Sequence, residues 1–343
     1  PPEPVLLAAT NVNEESFYAN WNPSATATGY KLDVSLVNDF STKLDGYNDL
    51  EVNDVNTYLV SGLSANTTYY YRVRAYNGTL TSENTGSNIS VFTAPPVPTT
   101  ANVETVAQTS FEAKWNSSTD ATGYYLDVST DINFSTTTFV AGFSNKDVGS
   151  TTSCSITDLT AGTKYYYRVR AYNSGGTSTS SIEKLVTTVP PEPIEKPASA
   201  ITASGFTANW NSSSEATEYL LYVATSNSVD GNNNFIDPVG GYNGISVVGT
   251  SQSLTLLAGT TYYYKVKAKN TSGTSGYSGI VTATTQTAKP ELNVANPINE
   301  KDFTISWSAI TSASGYLLDV STSSDCLSNY VDGYQNFDVG SVT

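Results

Sequence analysis

The chain has no histidine, no methionine and two cysteines in 343 residues. Without histidine it lacks the commonest general base and metal ligand, and neither Cys154 nor Cys326 has an imidazole to activate it as a nucleophile. No Gly-rich phosphate loop and no GxSxG or HExxH pattern occurs, so the usual phosphate, acyl-transfer and zinc-hydrolase chemistries have nothing to stand on. The expectation is a protein that is not an enzyme and carries no cofactor and no metal. Basic residues are also scarce: 16 Lys and Arg against 31 Asp and Glu leave a formal charge of −15. That balance repels phosphate backbones and anionic membrane surfaces and argues against nucleic-acid binding. No apolar run approaches the roughly 20 residues that cross a bilayer, and the N-terminal stretch has no signal-peptide pattern. With no methionine, Pro1 is not a translational start. Its "PPEP" matches the "PPVP" and "PPEP" that open the next two repeats, so a segment of a longer array is expected.

What the sequence does have is repetition. Trp21, Trp115, Trp210 and Trp307 recur with the triple-tyrosine runs that start at Tyr69, Tyr165 and Tyr262, at a period of 94 to 97 residues. Such a period marks tandem units: residues 1–94, 95–189, 190–288 and 289–343, the last stopping about halfway. Within each unit, short segments alternate apolar and polar residues and are bounded by Gly, Asn, Ser and Pro. In "SFYANW" Phe17, Ala19 and Trp21 alternate with Tyr18 and Asn20, and in "GYKLDVS" Tyr30, Leu32 and Val34 alternate with Lys31, Asp33 and Ser35. Period 2 with frequent turn signals predicts an all-β sandwich. The run "TTYYYRVRAYN" obeys the same count: Tyr69, Tyr71, Val73 and Ala75 face one way, and Tyr70, Arg72, Arg74 and Tyr76 the other.

The tryptophan of the second strand, the "GYxLxV" of the third and the "GLxxxTxYxxRVRAYN" that follows resemble the fibronectin type III domain. The resemblance implies immunoglobulin-like seven-stranded sandwiches of two antiparallel sheets, with strands C and F adjacent. It implies that Tyr69, Tyr165 and Tyr262 are tyrosine-corner residues, their hydroxyls bonded to upstream backbone, and that Trp21, Trp115, Trp210 and Trp307 sit in the core. The third repeat departs from the pattern by "SNSVDGNNNFIDPVGG" in its variable segment. The linkers "TAPPVPTT", "TTVPPEPIEKP" and "TTQTAKPEL" are short and proline-bearing, which favours extended chain. An extended rod is expected, each domain roughly 30 to 35 Å long.

The remaining chemistry is weak. Asp230, Asn232, Asn234 and Asp237 offer oxygens at alternating positions, but an EF-type calcium loop needs Gly at its sixth place and an acid at its twelfth, where Phe235 and Gly241 stand. Turn formation is the simpler reading. Cys154 and Cys326 replace Tyr58 and Phe40 of the first repeat and read as small buried apolar side chains. The seven Asn-x-Ser/Thr sequons, Asn66, Asn116 and Asn211 among them, are what a chain rich in Asn, Ser and Thr produces by chance. The integrin triplet Arg-Gly-Asp is absent, which weakens an animal matrix-receptor reading.

One candidate interaction face survives: Tyr70, Arg72, Arg74 and Tyr76, repeated as Tyr166, Arg168, Arg170 and Tyr172. Tyr and Arg are the types most enriched at binding hot spots, and an aromatic row can stack on sugars. The competing reading, favoured for any single domain, pairs the arginines with Asp33 and Asp127 presented outward from strand C. In the third repeat Tyr222 replaces that Asp where lysines replace the arginines. The expected function is a non-enzymatic extracellular or cell-surface structural array, part of a bacterial surface fibre, filament, sheath or adhesin stalk. Self-association or neighbouring surface proteins are the expected partners, with polysaccharide as the other. The alternative is a spacer or carbohydrate-binding array attached to a secreted hydrolase. The fourth repeat, with strands A, B, C and C′ only, is expected to leave Trp307, Tyr316 and Val320 facing water.

Overall fold

Alternation along each strand decides which side chains enter the core, and two sheets must then cover one another's apolar faces. The computed structural model describes residues 1–84, 88–293, 295 and 301–342, and among these there is no helix. Contacts divide the chain into two units, Pro1–Thr188 and Val189–Thr343.

The first unit holds two sandwiches. The first comprises β1 (Leu6–Thr10), β2 (Ser16–Trp21), β3 (Gly29–Ser35), β4 (Leu50–Glu51), β5 (Thr57–Ser61), β6 (Thr68–Asn77), β7 (Leu80–Thr81) and β8 (Ile89–Phe92). One sheet runs β1-β2-β5; the other runs β4-β3-β6-β7, with β8 also on β6. Phe17, Ala19 and Trp21 from the first sheet close on Leu32, Val34, Tyr71 and Val73 from the second. The second sandwich comprises β9 (Phe111–Lys114), β10 (Gly123–Ser129), β11 (Lys146–Asp147), β12 (Ser153–Ile156), β13 (Lys164–Tyr172) and β14 (Lys184–Thr187). Its first strand is reduced to the isolated bridges Thr100–Trp115 and Val106–Phe111, so it falls short of the seven strands expected.

In the second unit, the third repeat forms β15 (Glu195–Thr202), β16 (Gly205–Trp210), β17 (Glu218–Ala224), β18 (Pro238–Val247), β19 (Ser251–Thr255), β20 (Thr261–Asn270), β21 (Gly273–Tyr277) and β22 (Val281–Thr284). Its departing variable segment ends in β18, a ten-residue edge strand paired to β17 with two register shifts. The fourth repeat has β23 (Tyr316–Leu318) paired with β24 (Phe337–Gly340). Its strands A and B are represented among the described residues by the bridge Leu292–Trp307. Two expectations fail here. Trp307 is not turned to water but is 8% exposed, packed 5.4 Å from Tyr316, because that pairing needs only strands B and C. Cys326 is exposed, whereas Phe40, whose place it takes, packs against Arg72, and Cys154 is half-buried.

Each tyrosine of the triplet has a different task. The first accepts a hydrogen bond from backbone N–H five residues upstream: Tyr69 from Ser64 at 2.8 Å, Tyr165 from Thr160 at 2.9 Å and Tyr262 from Leu257 at 3.0 Å. The third is buried and bridges strands, Tyr167 donating to Lys114 O at 2.9 Å and Ala101 O at 3.1 Å, and Tyr264 to Lys196 O at 2.6 Å. Tyr71 likewise reaches Leu7 O. A further corner was not legible beforehand: the hydroxyls of Tyr30, Tyr124, Tyr219 and Tyr316 accept the backbone N–H six residues upstream in all four repeats.

Burial pushes the Tyr71, Tyr167 and Tyr264 hydroxyls above the usual tyrosine range. The fold thus favours the neutral phenol. Its contribution is fully present below the unfolded value of about 10 and is lost as pH rises through the raised folded value. The melting temperature is expected to hold to about pH 10 and fall above it. Tyr167→Phe should cost roughly 1 kcal/mol at neutral pH, the net worth of a buried hydrogen bond, and should soften the alkaline fall. A pH series of thermal melts on both proteins checks this; identical alkaline limbs would show that Tyr167 does not contribute to them.

The two sandwiches of the first unit also meet through side chains that periodicity could not announce. Buried Glu14 accepts Thr179 N–H at 2.8 Å and the Thr179 hydroxyl. Asn173 donates to Thr93 O at 3.2 Å and Asn66 Oδ1 at 3.1 Å, and Asn66 donates to Thr119 O at 2.6 Å. A Cβ on Gly175 would lie 2.0 Å from Phe92 O, so the turn after Asn173 can approach the first sandwich only as glycine.

Candidate interaction face

Strand β6 pairs with β3 so that Asp33 stands opposite Arg72, Lys31 opposite Arg74 and Gly29 opposite Tyr76; β13 and β10 repeat the register as Asp127–Arg168, Tyr125–Arg170 and Gly123–Tyr172. All eight ladder side chains are half-buried. Asp33 is only 1% exposed, which corrects the expectation of an outward-presented carboxylate. The cause is the chain between β3 and β4, which folds back over this face of the sheet and brings Phe40, Lys43 and Asp49 against it.

The result is a clamp. Arg72 Nε meets Asp33 Oδ2 at 2.9 Å, and Lys43 Nζ and Asp49 N reach Oδ1 at 3.2 and 2.7 Å. Phe40 lies on the other side of the guanidinium, its centroid 4.3 Å away. Arg74 pairs with Asp49. In the second repeat Arg168 Nε meets Asp127 Oδ2 at 3.0 Å with Phe134 at 4.2 Å, Asn145 N donates to Oδ1 at 2.6 Å, and Arg170 reaches Asn145 Oδ1 at 2.7 Å. Phe40 and Phe134 take left-handed φ of 56° and 53°. That conformation costs a side chain with a Cβ roughly 1 kcal/mol or more, which the cation–π contact and ring burial offset.

Tyr76 and Tyr172 lie across the glycines opposite them. A Cβ on Gly123 would fall 2.2 Å from the Tyr172 hydroxyl. Tyr172 also donates to Asp147 at 3.0 Å, and that bond, with some burial, raises its hydroxyl above the usual range. The third repeat replaces the pair by Glu218 and Lys269, ion-paired at 2.5 Å.

The third repeat solves the clamp differently. Tyr222 takes the Asp place opposite Lys265, which is 0% exposed. Its ammonium lies 4.2 Å from the Phe235 centroid and 4.1 Å from that of Tyr277, and it donates to Asn233 O. Burial lowers the Lys265 amine from its usual range, with Asp230 opposing and Lys267 adding to the effect. Tyr277 is pushed up to about 12 by burial and the neighbouring Tyr222. The loop considered for calcium folds on itself, with Asp230 Oδ1 accepting Asn232 N at 2.9 Å and Asn234 N at 2.8 Å.

Of the eight ladder residues, Tyr70, Tyr76 and Tyr166 make no side-chain hydrogen bond, ion pair or ring-to-ring contact among the described residues; Tyr76 lies packed over Gly29, which leaves Tyr70 and Tyr166 as the unengaged pair. The clamping phenylalanine was missed, although Phe40 and Phe134 each follow their aspartate by seven residues.

Comparison with known proteins completes the picture. The fibronectin type III domain model matches residues 1–90 and 96–186, more than half the chain. Exoglucanase B of Cellulomonas fimi is 35% identical over 181 residues, 49% of this chain and 15% of that protein. A Kelch domain-containing protein of Sulfurisphaera tokodaii is 26% identical over 328 residues, 93% of this chain and 40% of that protein. The chain thus spans less than half the length of either relative. The FN1–FN3 domains of chicken CNTN1 align at 16% identity with a TM-score of 0.31, over 83% of this chain and 99% of that one. With its clamped all-β sandwiches in series, the chain belongs to the fibronectin type III family.

Proposed function

We propose that the chain is a non-catalytic structural array of the extracellular space or cell surface, a stretch of a surface fibre, filament, sheath or adhesin stalk acting by reach and repeated weak protein–protein contacts. The observation that carries this reading is that the first two repeats satisfy the charges of their exposed sheet from within, through Asp33–Arg72 and Asp127–Arg168. What each domain offers outward at this face is one unengaged aromatic, Tyr70 or Tyr166, at the same register. One weak contact per domain gains strength only by repetition along the array, through effective concentration. Electron microscopy of native material should show ordered assemblies. Replacing Tyr70 and Tyr166 together by serine should disperse them while changing domain stability by no more than about 0.5 kcal/mol. Assemblies that persist in the double variant would sink the assignment of this face.

The match to exoglucanase B favours a second reading, a spacer or carbohydrate-binding array joined to a secreted hydrolase. Retention on insoluble cellulose or chitin, lost in the same double variant, would select it over lateral assembly.

A further inference from the structure

The joint between the first two sandwiches has no residue free to act as a hinge. Thr93 and Ala94 are 0% exposed, and Ala94 donates to Asn13 O at 3.2 Å and accepts Asn66 N–H at 3.0 Å, so the first sandwich holds the chain as far as residue 94. The second takes hold almost at once. Pro96 O accepts the Ser118 hydroxyl at 2.5 Å, and Thr99 O accepts Asn116 N–H at 2.9 Å. Between these bonds stand Pro95, Pro96 and Pro98, of which Pro95 and Pro98 are buried. Each ring fixes its own φ and confines the residue before it to extended chain.

Domains joined by a small polar contact ordinarily move against one another. Here a second set of bonds, from the turn after β13, braces the linker. Asn173 Oδ1 shapes that turn by accepting Gly175 N–H at 2.8 Å and Gly176 N–H at 3.1 Å, while its Nδ2 donates across the joint to Thr93 O and Asn66 Oδ1. Backbone then meets backbone: a Cβ on Gly175 would fall 2.0 Å from Phe92 O, and one on Gly176 2.3 Å from Val12 O. Past the turn, buried Glu14 receives both donors of Thr179. We infer that the first two repeats are one rigid pair, keyed by Glu14 and Asn173, which holds Tyr70 and Tyr166 at a single fixed spacing for a partner with two matching sites. A fixed spacing makes the second contact intramolecular and rejects partners whose sites are spaced otherwise. The partner that matches it by construction is a second copy of the same pair. The rigid pair stands on the joint alone; its use in binding rests on the lateral-contact reading proposed above.

The test sets spin labels at Glu51→Cys and Ser155→Cys, exposed positions on β4 and β12, in the full chain with Cys154→Ser and Cys326→Ser, and reads the distribution of label-to-label distances. One narrow distance is expected. Glu14→Ala should replace it by a broad distribution and speed hydrogen exchange at the Thr179 amide by about tenfold or more, the worth of a charge-assisted hydrogen bond. Gly175→Ala should broaden it too, by steric contact with Phe92 O from a turn outside both cores, so that loss of folding cannot stand in for loss of the joint. A broad distribution in the unaltered chain, or a narrow one that survives both variants, would overturn the rigid pair. Assemblies seen by electron microscopy should disperse in both joint variants; if they persist while the distance broadens, the fixed spacing is not what they use and its role in binding is overturned. Replacing Tyr70 and Tyr166 by serine should leave the distance narrow, so failure of that face and failure of the joint are read separately. Retention of the labelled chain on cellulose without assembly would give the matching sites to a polysaccharide and overturn the second copy as partner.

Discussion

Replacing Trp210 by alanine should destabilise the third repeat by about 3 to 5 kcal/mol, the range for truncating a large buried aromatic. Trp210 is 0% exposed, packs 5.7 Å from Tyr219 and belongs to the cluster that joins Phe206 and Leu254 to Leu221 and Val266 across the sandwich. Domains of this size are stable by only 5 to 15 kcal/mol or so, so most of the third repeat's margin would go. Trp210→Phe should cost far less, about 1 to 2 kcal/mol. The indole Nε1 is buried with no hydrogen-bond partner, as in the other three tryptophans, and the phenyl ring removes that unsatisfied donor while keeping most of the contact area. Calorimetry distinguishes the two: the alanine variant should move one transition to lower temperature and leave those of the first unit in place. A loss under 1 kcal/mol for alanine would contradict a core role.

That tryptophan could be placed from sequence because strand alternation is a rigid rule: a residue two positions along faces the same way, and burial follows. The same rule sorted Tyr69 and Tyr71 from Tyr70 without any structure. It could not say that Tyr71 and Tyr167 bridge to Leu7 and Ala101, since those contacts cross the sandwich between residues 64 and 66 positions apart. Nor could it foresee the clamp. Phe40 and Phe134 sit in irregular chain with left-handed backbone, where neither period 2 nor propensity speaks, and their rings reach Arg72 and Arg168 only because the loop returns over the sheet. A sequence argument sees Arg72, Arg74 and two tyrosines as an outward row. The fold makes the charged members internal, so the side chains this face leaves for contact are Tyr70 and Tyr166.

Removing the acid of the clamp has the other large expected effect. Asp33→Ala should destabilise the first repeat by about 3 to 5 kcal/mol, the usual result of breaking a buried pair from one side. The side chain of Arg72 is 18% exposed and that of Lys43 22%, so solvent can screen neither well once the carboxylate is gone, and Arg74 lies 4.0 Å from the same oxygen. Three cations would then share a site with no anion between them except Asp49. Arg72→Ala should cost less, about 1 to 2 kcal/mol, because Asp33 keeps Lys43 and the Asp49 amide. The double variant should cost less than the sum of the two, with a coupling of about 1 to 3 kcal/mol measured by a double-mutant cycle. Because the pair lies under the returning loop, raising salt to about 1 M should recover little of the loss, whereas a surface pair would be largely screened. Additive losses, or recovery of Asp33→Ala in high salt, would return Arg72 to the outward row and reopen it as a binding residue.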